Sequence, residues 1–222
     1  MKKLSDYKLI VYDCDGVILN SNRIKTEAFG ESVSFLGSKA ASIFKNYHIQ
    51  NGGISRYEKF QHFIESIVPD LGIDYDINLQ QLLETYSKEV ALKLMSCEID
   101  ESIFKLKDAT PSSSWAVASG SDQEELRNIF TNRDLTKLFE LGIWGSPSSK
   151  QEIFKTHFRG YAPSDILFLG DSLYDYKVSK EFKVDFAFIT HWSEFKEIID
   201  FSKKNQISAF TSLETLYKGH FA

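Results

Sequence analysis

The chain has 222 residues, of which 42% are hydrophobic and 26% charged, and its net charge at pH 7 is -5. This composition is typical of a folded globular protein and excludes an intrinsically disordered chain. The length allows a full core and a modest second domain. The small negative charge gives no indication of nucleic acid or of an anionic membrane as a partner.

The cysteines and the first residues limit the kinds of site that the chain carries. Cys14 and Cys97 lie far apart, and the sequence has neither a Cys-x-x-Cys pair nor a cluster of histidines. This argues against a disulfide framework and a structural zinc site. The start lacks the apolar run of a signal peptide, and no later stretch has the length that a bilayer requires. We expect a cytoplasmic protein without a membrane partner; its oligomeric state stays open.

Short apolar runs recur along the chain and predict buried strands. Five runs are present, at 8–12, 115–118, 141–144, 166–169 and 184–189. Segments with helical spacing lie between them, at 122–130, 149–158, 173–182 and 193–202. This alternation predicts an α/β fold with a parallel sheet covered on both faces. A last run at 207–210 predicts an edge strand.

The long interval after the first strand has a different pattern. Helical spacing recurs at about 23–35, 57–67 and 79–95, and Asn51-Gly52-Gly53 predicts a loop. We therefore expect a helical cap domain, residues 20–95, inserted into a core domain formed by residues 1–19 and 96–222.

Two carboxylates follow the first predicted strand. Asp13 and Asp15 stand at the edge of a parallel sheet where ligands bind. An ionised Asp13 suits a nucleophile, and Asp15 suits a general acid and then a base. Gly16 allows the sharp turn that brings both side chains to one site. The alternative is a solvated acidic turn.

A second acidic pair follows the strand at 166–169. Asp171, Asp13 and the main-chain carbonyl of Asp15 offer the hard oxygen ligands that Mg²⁺ prefers. Asp175, one helical turn later, is placed to hold metal-bound water or to orient Lys150. The alternatives are a helix N-cap for Asp171 and a solvated helix carboxylate for Asp175.

Two further strand ends carry groups suited to phosphate. The Ser119 hydroxyl and the N–H of Gly120 precede a helix and could bind phosphoryl oxygens, unless Ser121 or Asp122 simply caps that helix. Lys150 lies at another strand-to-helix junction, where an ammonium neutralises phosphoryl charge, or is merely solvated. If the strands lie side by side, all four strand ends meet in one pocket.

This ordered set resembles the haloacid dehalogenase superfamily. Asp13-Cys-Asp-Gly-Val is similar to its first motif, Ser119 to its second, Lys150 to its third and Gly170-Asp171-x-x-x-Asp175 to its fourth. The resemblance, which is closest to phosphoglycolate phosphatases and β-phosphoglucomutases, implies a Rossmann-like core and a helical cap of the first type. It also implies that Asp13 attacks phosphorus while Asp15 protonates the leaving oxygen and later deprotonates water. Magnesium, Lys150, Ser119 and Gly120 would stabilise the equatorial oxygens.

The sequence departs from the usual family pattern after the first motif. Asn20-Ser21-Asn22 replaces the common Asp-Ser/Thr-Glu, which predicts different cap closure or substrate contacts. In the cap, Arg56 is the candidate substrate contact, and its alternative is a helix-start arginine that faces solvent. His48, His62 and His157 are expected on helix surfaces without a role. Cys14 is expected to pack behind the site.

The predicted function is a magnesium-dependent phosphatase that hydrolyses a small phosphate monoester through an aspartyl-phosphate. The partner is then a phosphorylated sugar, polyol or similar metabolite. A phosphomutase of the β-phosphoglucomutase type is the alternative, because it shares the core. A dehalogenase is disfavoured because it needs no general acid such as Asp15. A binding module and a receiver domain are further readings, opposed by the intact acidic set and by the helical insert.

Overall fold

The structure, a computed structural model, describes residues 1–221 and centres on one six-stranded parallel sheet. The strand order is β3-β2-β1-β4-β5-β6. The strands are β1 (Leu9–Tyr12), β2 (Ser114–Asp122), β3 (Gly142–Ser146), β4 (Ile166–Gly170), β5 (Asp185–Ile189) and β6 (Ser208–Phe210). The predicted α/β fold is confirmed, and β6 is the expected edge strand.

The central strand is apolar on both sides because helices cover both faces of the sheet. Every residue of β1 is buried, and Leu9 aligns with Ser114 on one side and with Ile166 on the other. Alternate side chains point to opposite faces. Ile10 and Tyr12 therefore join the larger hydrophobic cluster, whereas Leu9 and Val11 join the smaller one. This registry places the ends of β1, β2 and β4 side by side.

Five α-helices follow β1 before Cys97. They are α1 (Asn22–Ser32), α2 (Ser38–Gln50), α3 (Arg56–His62), α4 (Val68–Asp70) and α5 (Leu79–Ser96). A π-helical turn, Phe63–Ile67, joins α3 to α4. The outgoing and returning chains meet at a bridge between Leu19 and Ile99. We propose that residues 20–95 form a cap domain and that 1–19 and 96–222 form the core; Ala222 lies outside the described residues.

The remaining helices surround the sheet. They are α6 (Ser102–Ala109), α7 (Gln123–Asn132), α8 (Lys150–His157), α9 (Leu173–Phe182), α10 (Ile198–Asn205) and α11 (Leu213–Phe221). The helix expected at 193–202 starts five residues late, because Ser193 donates to the carbonyl of Asp171 and accepts from the N–H of Phe195. Such local hydrogen bonds compete with helix formation. Among residues 1–221, no helix combines the length and apolar character needed to cross a membrane.

The cap contains a group of packed aromatic rings that is continuous with the larger hydrophobic cluster. Phe44 is fully buried and contacts the rings of Phe29, Phe60 and Phe63, with centroid separations of 5.3, 5.2 and 4.5 Å. Aromatic side chains of this size contribute a large part of the energy of a core. The packing of the cap therefore depends on these rings.

Truncation of this core should destabilise the protein. We expect Phe44→Ala to lower the free energy of unfolding by about 3–5 kcal/mol, because it removes a buried ring and leaves a cavity. Phe35→Ala is the control, since Phe35 is 56% exposed on the same domain and should cost less than about 1 kcal/mol. Urea unfolding measures both. Equal losses would show that the ring of Phe44 is not part of a packed core.

Candidate active site

The carboxyl ends of the strands and the cap enclose one pocket of about 450 Å³. Asp13, Asp15 and Asp171 line its floor, and the cap residues Gly53, Arg56 and Lys59 line the opposite wall. A Cβ atom at Gly120 would overlap the carbonyl of Gly53, so the C-terminal end of β2 touches the cap loop directly. The predicted Asn51–Gly53 loop thus lies over the strand ends.

A buried lysine links two of the predicted acids. Lys150 is the first residue of α8, and its Nζ lies 2.9 Å from Asp13 Oδ1 and 2.5 Å from Asp175 Oδ1. The contact with Asp13 is an ion pair without hydrogen-bond alignment, whereas Asp175 accepts a hydrogen bond. Burial alone would lower the pKa of Lys150, but the two carboxylates raise it. Lys150 is therefore an ammonium inside the protein.

Asp171 meets the first motif at Gly16. Gly16 has φ +78°, and a Cβ atom there would overlap Asp171 and Asn22. Asn22 Nδ2 donates to Asp171 Oδ2 at 2.6 Å. Burial, Asp13 and Asp175 raise the pKa of Asp171 well above its ordinary value. Asp171 is not the helix N-cap, because Ser172 accepts from the N–H of Asp175 in that position.

The acidic cluster fits a divalent cation. One carboxylate oxygen each from Asp13, Asp171 and Asp175 lies within 4.8 Å of the others. Burial, opposed by Lys150, raises the pKa of Asp13 to about 7. Asp175 already accepts from Lys150 and Ser172, so it is suited to supporting the ligands rather than binding metal directly. Asp13, Asp171 and the carbonyl of Asp15 remain as hard oxygen ligands for Mg²⁺.

Asp15 is held by three donors. Lys25 Nζ lies 2.7 Å from its Oδ2, Ser121 Oγ donates to the same oxygen at 2.7 Å, and Ser21 Oγ donates to Oδ1 at 2.5 Å. Burial would raise the pKa of Asp15, but Lys25 and the two hydroxyls lower it. The arrangement stabilises the carboxylate form.

The structure places Ser119 and Gly120 differently from the expectation. Both lie within β2, which continues to Asp122, and the register against β3 shifts between Ala118 and Asp122. Asp122 caps α7 by accepting from the N–H of Glu125. Ser119 is fully buried and accepts from the N–H of Ser121, whereas Gly120 lines the pocket. Ser119 and Gly120 thus precede α7 as expected, but they lie in the strand rather than at the start of the helix.

Arg56 joins the cap to the core. Its Nη1 donates to Glu125 at 2.8 Å, and its Nη2 lies 3.7 Å from Asp122. Arg56 is 8% exposed, so the solvent-facing alternative is wrong. It borders the pocket with its charge already paired, and its role as a substrate contact stays a prediction.

His48 is a second correction in the cap. It is 8% exposed and packs against Phe29 rather than lying on a helix surface. Its Nδ1 lies 2.8 Å from Nζ of Lys59. The pattern of α2 did not identify this burial because the apolar face of that helix is narrow: only Ala40, Phe44 and His48 are buried.

Sequence comparison agrees with this geometry. A profile of the haloacid dehalogenase-like hydrolases matches residues 10–189, which include the carboxyl ends of β1 to β5. The chain belongs to this family. No curated protein matches it.

Solved structures share the hydrolase fold over nearly the whole chain. A predicted phosphoglycolate phosphatase from Haemophilus somnus 129PT has a TM-score of 0.74 at 16% identity, covering 96% of this chain and 97% of its own. A haloacid dehalogenase-like hydrolase from Streptococcus pneumoniae has 0.67 at 18%, with 97% and 99% covered. The HAD hydrolase YfnB from Bacillus subtilis, described as bound to magnesium, has 0.65 at 15%, with 97% and 99% covered.

Three residues of the site were not predicted from the sequence. Ser121 is predicted only as a helix cap, and no role is predicted for Lys25 or Lys59. Lys25 lies four residues after Ser21 on α1, a spacing that puts both on one face of the helix. That spacing is the one signal in the sequence for the Asp15 contacts.

Magnesium should stabilise this haloacid dehalogenase-like hydrolase more at pH 8 than at pH 6. The raised pKa values of Asp13 and Asp171 mean that the metal-free fold keeps protons which the unfolded chain releases. The contribution of these two carboxyl groups to the stability of the metal-free fold therefore falls as pH rises from about 4 towards 7. At pH 8 the cation displaces fewer protons from its ligands.

Differential scanning calorimetry with and without Mg²⁺ measures this difference. We expect Asp171→Asn to remove most of the gain in melting temperature, and Asp108→Asn, an exposed control, to retain it. An equal gain at both pH values, or an undiminished gain in Asp171→Asn, would contradict metal binding by these carboxylates.

Proposed function

We propose that the chain is a magnesium-dependent phosphatase that hydrolyses a small phosphate monoester, such as a sugar or polyol phosphate. One observation carries the proposal. The carboxylate of Asp13 lies on the pocket floor, beside the ammonium of Lys150 and the acid of Asp171. A nucleophile, a fixed cation and a metal-binding acid are the parts that phosphoryl transfer requires.

In the first step Asp13 acts as the nucleophile. One of its oxygens forms a bond to phosphorus while the bond to the leaving oxygen breaks, which gives an aspartyl-phosphate. Lys150 stays within 2.9 Å of Asp13 and offsets the negative charge of the phosphoryl group. Bound Mg²⁺ would add a second positive charge for the phosphoryl oxygens.

Asp15 serves the second step in its present form. Lys25, Ser21 and Ser121 keep it as a carboxylate, which suits a base that takes a proton from the attacking water. To protonate the leaving oxygen in the first step, Asp15 must first gain a proton and loosen its contact with Lys25. The contact with the cap residue Lys25 thus favours the carboxylate form of Asp15, which acts in the second step.

The C-terminal end of β2, at Ser119 and Gly120, is proposed to hold the phosphoryl oxygens. Gly120 lines the pocket, and its lack of a side chain lets the cap loop approach. Ser119 lies behind it, fully buried. Together with Lys150 they complete the predicted phosphate-binding set.

Replacement of the nucleophile should abolish turnover. We expect Asp13→Asn to lower the rate of phosphate release from any accepted ester by at least about 1000-fold, because the amide does not attack phosphorus. Asp108→Asn, the exposed control, should keep its rate. A phosphate-release screen of sugar, polyol, amino-alcohol and nucleotide monophosphates with Mg²⁺ supplies the substrate. Unchanged activity in Asp13→Asn would refute the proposal.

A phosphomutase of the β-phosphoglucomutase type is the second candidate. It is favoured by the close cover of the site, where the cap loop at Gly53 rests on Gly120 and would limit the entry of water. With hexose 1-phosphates as substrates, we expect free phosphate and free sugar as the products. Phosphorus NMR monitors the reaction. Recovery of an isomerised sugar phosphate without free phosphate would instead establish the mutase.

A further inference from the structure

Lys59 is a buried cation without a counter-ion in the pocket wall. It lies on α3, is 2% exposed and borders the pocket. Its Nζ lies 2.8 Å from Nδ1 of His48. Within the described residues, 1–221, it forms no ion pair with a carboxylate. A buried ammonium in this state is unfavourable unless a partner compensates it.

The other buried cations of the pocket region are all paired. Lys25 pairs with Asp15, Arg56 with Glu125, and Lys150 with Asp13 and Asp175. Lys177 and Lys196 also border the pocket, but they are exposed at its rim. Lys59 is therefore the one enclosed positive charge in the described part of the chain that has no carboxylate beside it.

Neither neighbour of Lys59 replaces a counter-ion. His48 accepts through Nδ1 and is neutral, and burial together with Lys59 lowers its pKa well below the ordinary value. Glu194 forms no ion pair with Lys59, and its carboxylate accepts from Thr26 Oγ1 at 2.6 Å; burial raises the pKa of Glu194, although Lys59 partly offsets this. Burial and the charge of Lys25 in turn lower the pKa of Lys59 to about 7. An anion in the pocket would stabilise the charged form of Lys59.

We propose that Lys59 binds a second oxyanion carried by the leaving group, so that the substrate is a phosphate monoester with a further carboxylate or phosphate. This inference rests on the proposed phosphatase function and narrows it. The first phosphate lies at Asp13 and Lys150, on the core side of the pocket, and Lys59 lies on the cap side. Phe29 and Tyr86, which also line the pocket, provide an apolar surface for the carbon skeleton between the two charges.

Binding to the inactive Asp13→Asn protein tests this inference without turnover. Calorimetry compares 3-phosphoglycerate with glycerol 3-phosphate, and glucose 1,6-bisphosphate with glucose 1-phosphate. We expect the more anionic member of at least one pair to bind about tenfold more tightly or better. A preference in the first pair indicates a carboxylate, and one in the second pair indicates a second phosphate.

The Lys59→Met substitution, added to Asp13→Asn, removes the charge and keeps the length of the side chain. We expect it to abolish the preference and to change the affinity of the less anionic member of each pair by less than about threefold. Lys88→Met, an exposed lysine of the same domain, should retain the preference. An equal loss for both members of a pair would assign Lys59 a structural role and overturn the inference.

The test remains decisive if Lys59→Met does not fold. Equal affinities within both pairs for the Asp13→Asn protein alone would contradict the inference. Failure of the phosphatase proposal is recognised separately, since the wild-type protein would then release no phosphate from any ester. Release of phosphate from esters without a second anionic group, with no preference for esters that carry one, would reject the Lys59 site alone.

Discussion

The ammonium of Lys150 between Asp13 and Asp175 is the interaction on which the site depends. Three carboxylates lie together in a buried place, and this single lysine is the only cation in contact with them among the described residues. Buried charges of one sign are unfavourable unless they are compensated. The raised pKa values of Asp13 and Asp171 express the remaining imbalance. A divalent cation held by Asp13 and Asp171 would balance these charges.

The contacts of the cap connect its position to the chemistry of the core. Lys25 reaches Asp15, Asn22 reaches Asp171, and Arg56 pairs with Glu125. Each pair joins a residue of the helical segment to one near a strand end. Withdrawal of the cap would therefore release Asp15 from Lys25 and expose the pocket. In this way Asn22, which replaces the common glutamate of the family, contacts Asp171, whereas Ser21, which matches the family's Ser/Thr, contacts Asp15.

The sheet and its acidic strand ends followed from local patterns in the sequence. Each apolar run is short and bounded by polar residues, and β1 and β4 are fully buried, so the positions of the strands need no knowledge of tertiary contacts. The convergence of Asp13, Lys150 and Asp171 followed from the adjacency of parallel strands. Their catalytic roles stay predictions, as does the substrate contact of Arg56.

The parts that escaped prediction depend on packing between distant segments. Lys25, Lys59 and His48 look like ordinary polar residues of helices, and their burial results from the way the cap meets the core. β2 continues past Ala118 with a shifted register against β3, and Ser121 rather than Ser119 lines the pocket. Likewise, the late start of α10 results from the contact of Ser193 with Asp171, which no local pattern reveals.

The central claim is that Asp13 and Asp171 share one divalent cation on the floor of the pocket. A crystal grown with Mn²⁺ in place of Mg²⁺ and measured near the manganese absorption edge tests it most directly. The account predicts one anomalous peak within bonding distance of a carboxylate oxygen from each of the two residues. A metal-saturated crystal with no peak between them, or with manganese bound only elsewhere, would contradict the account.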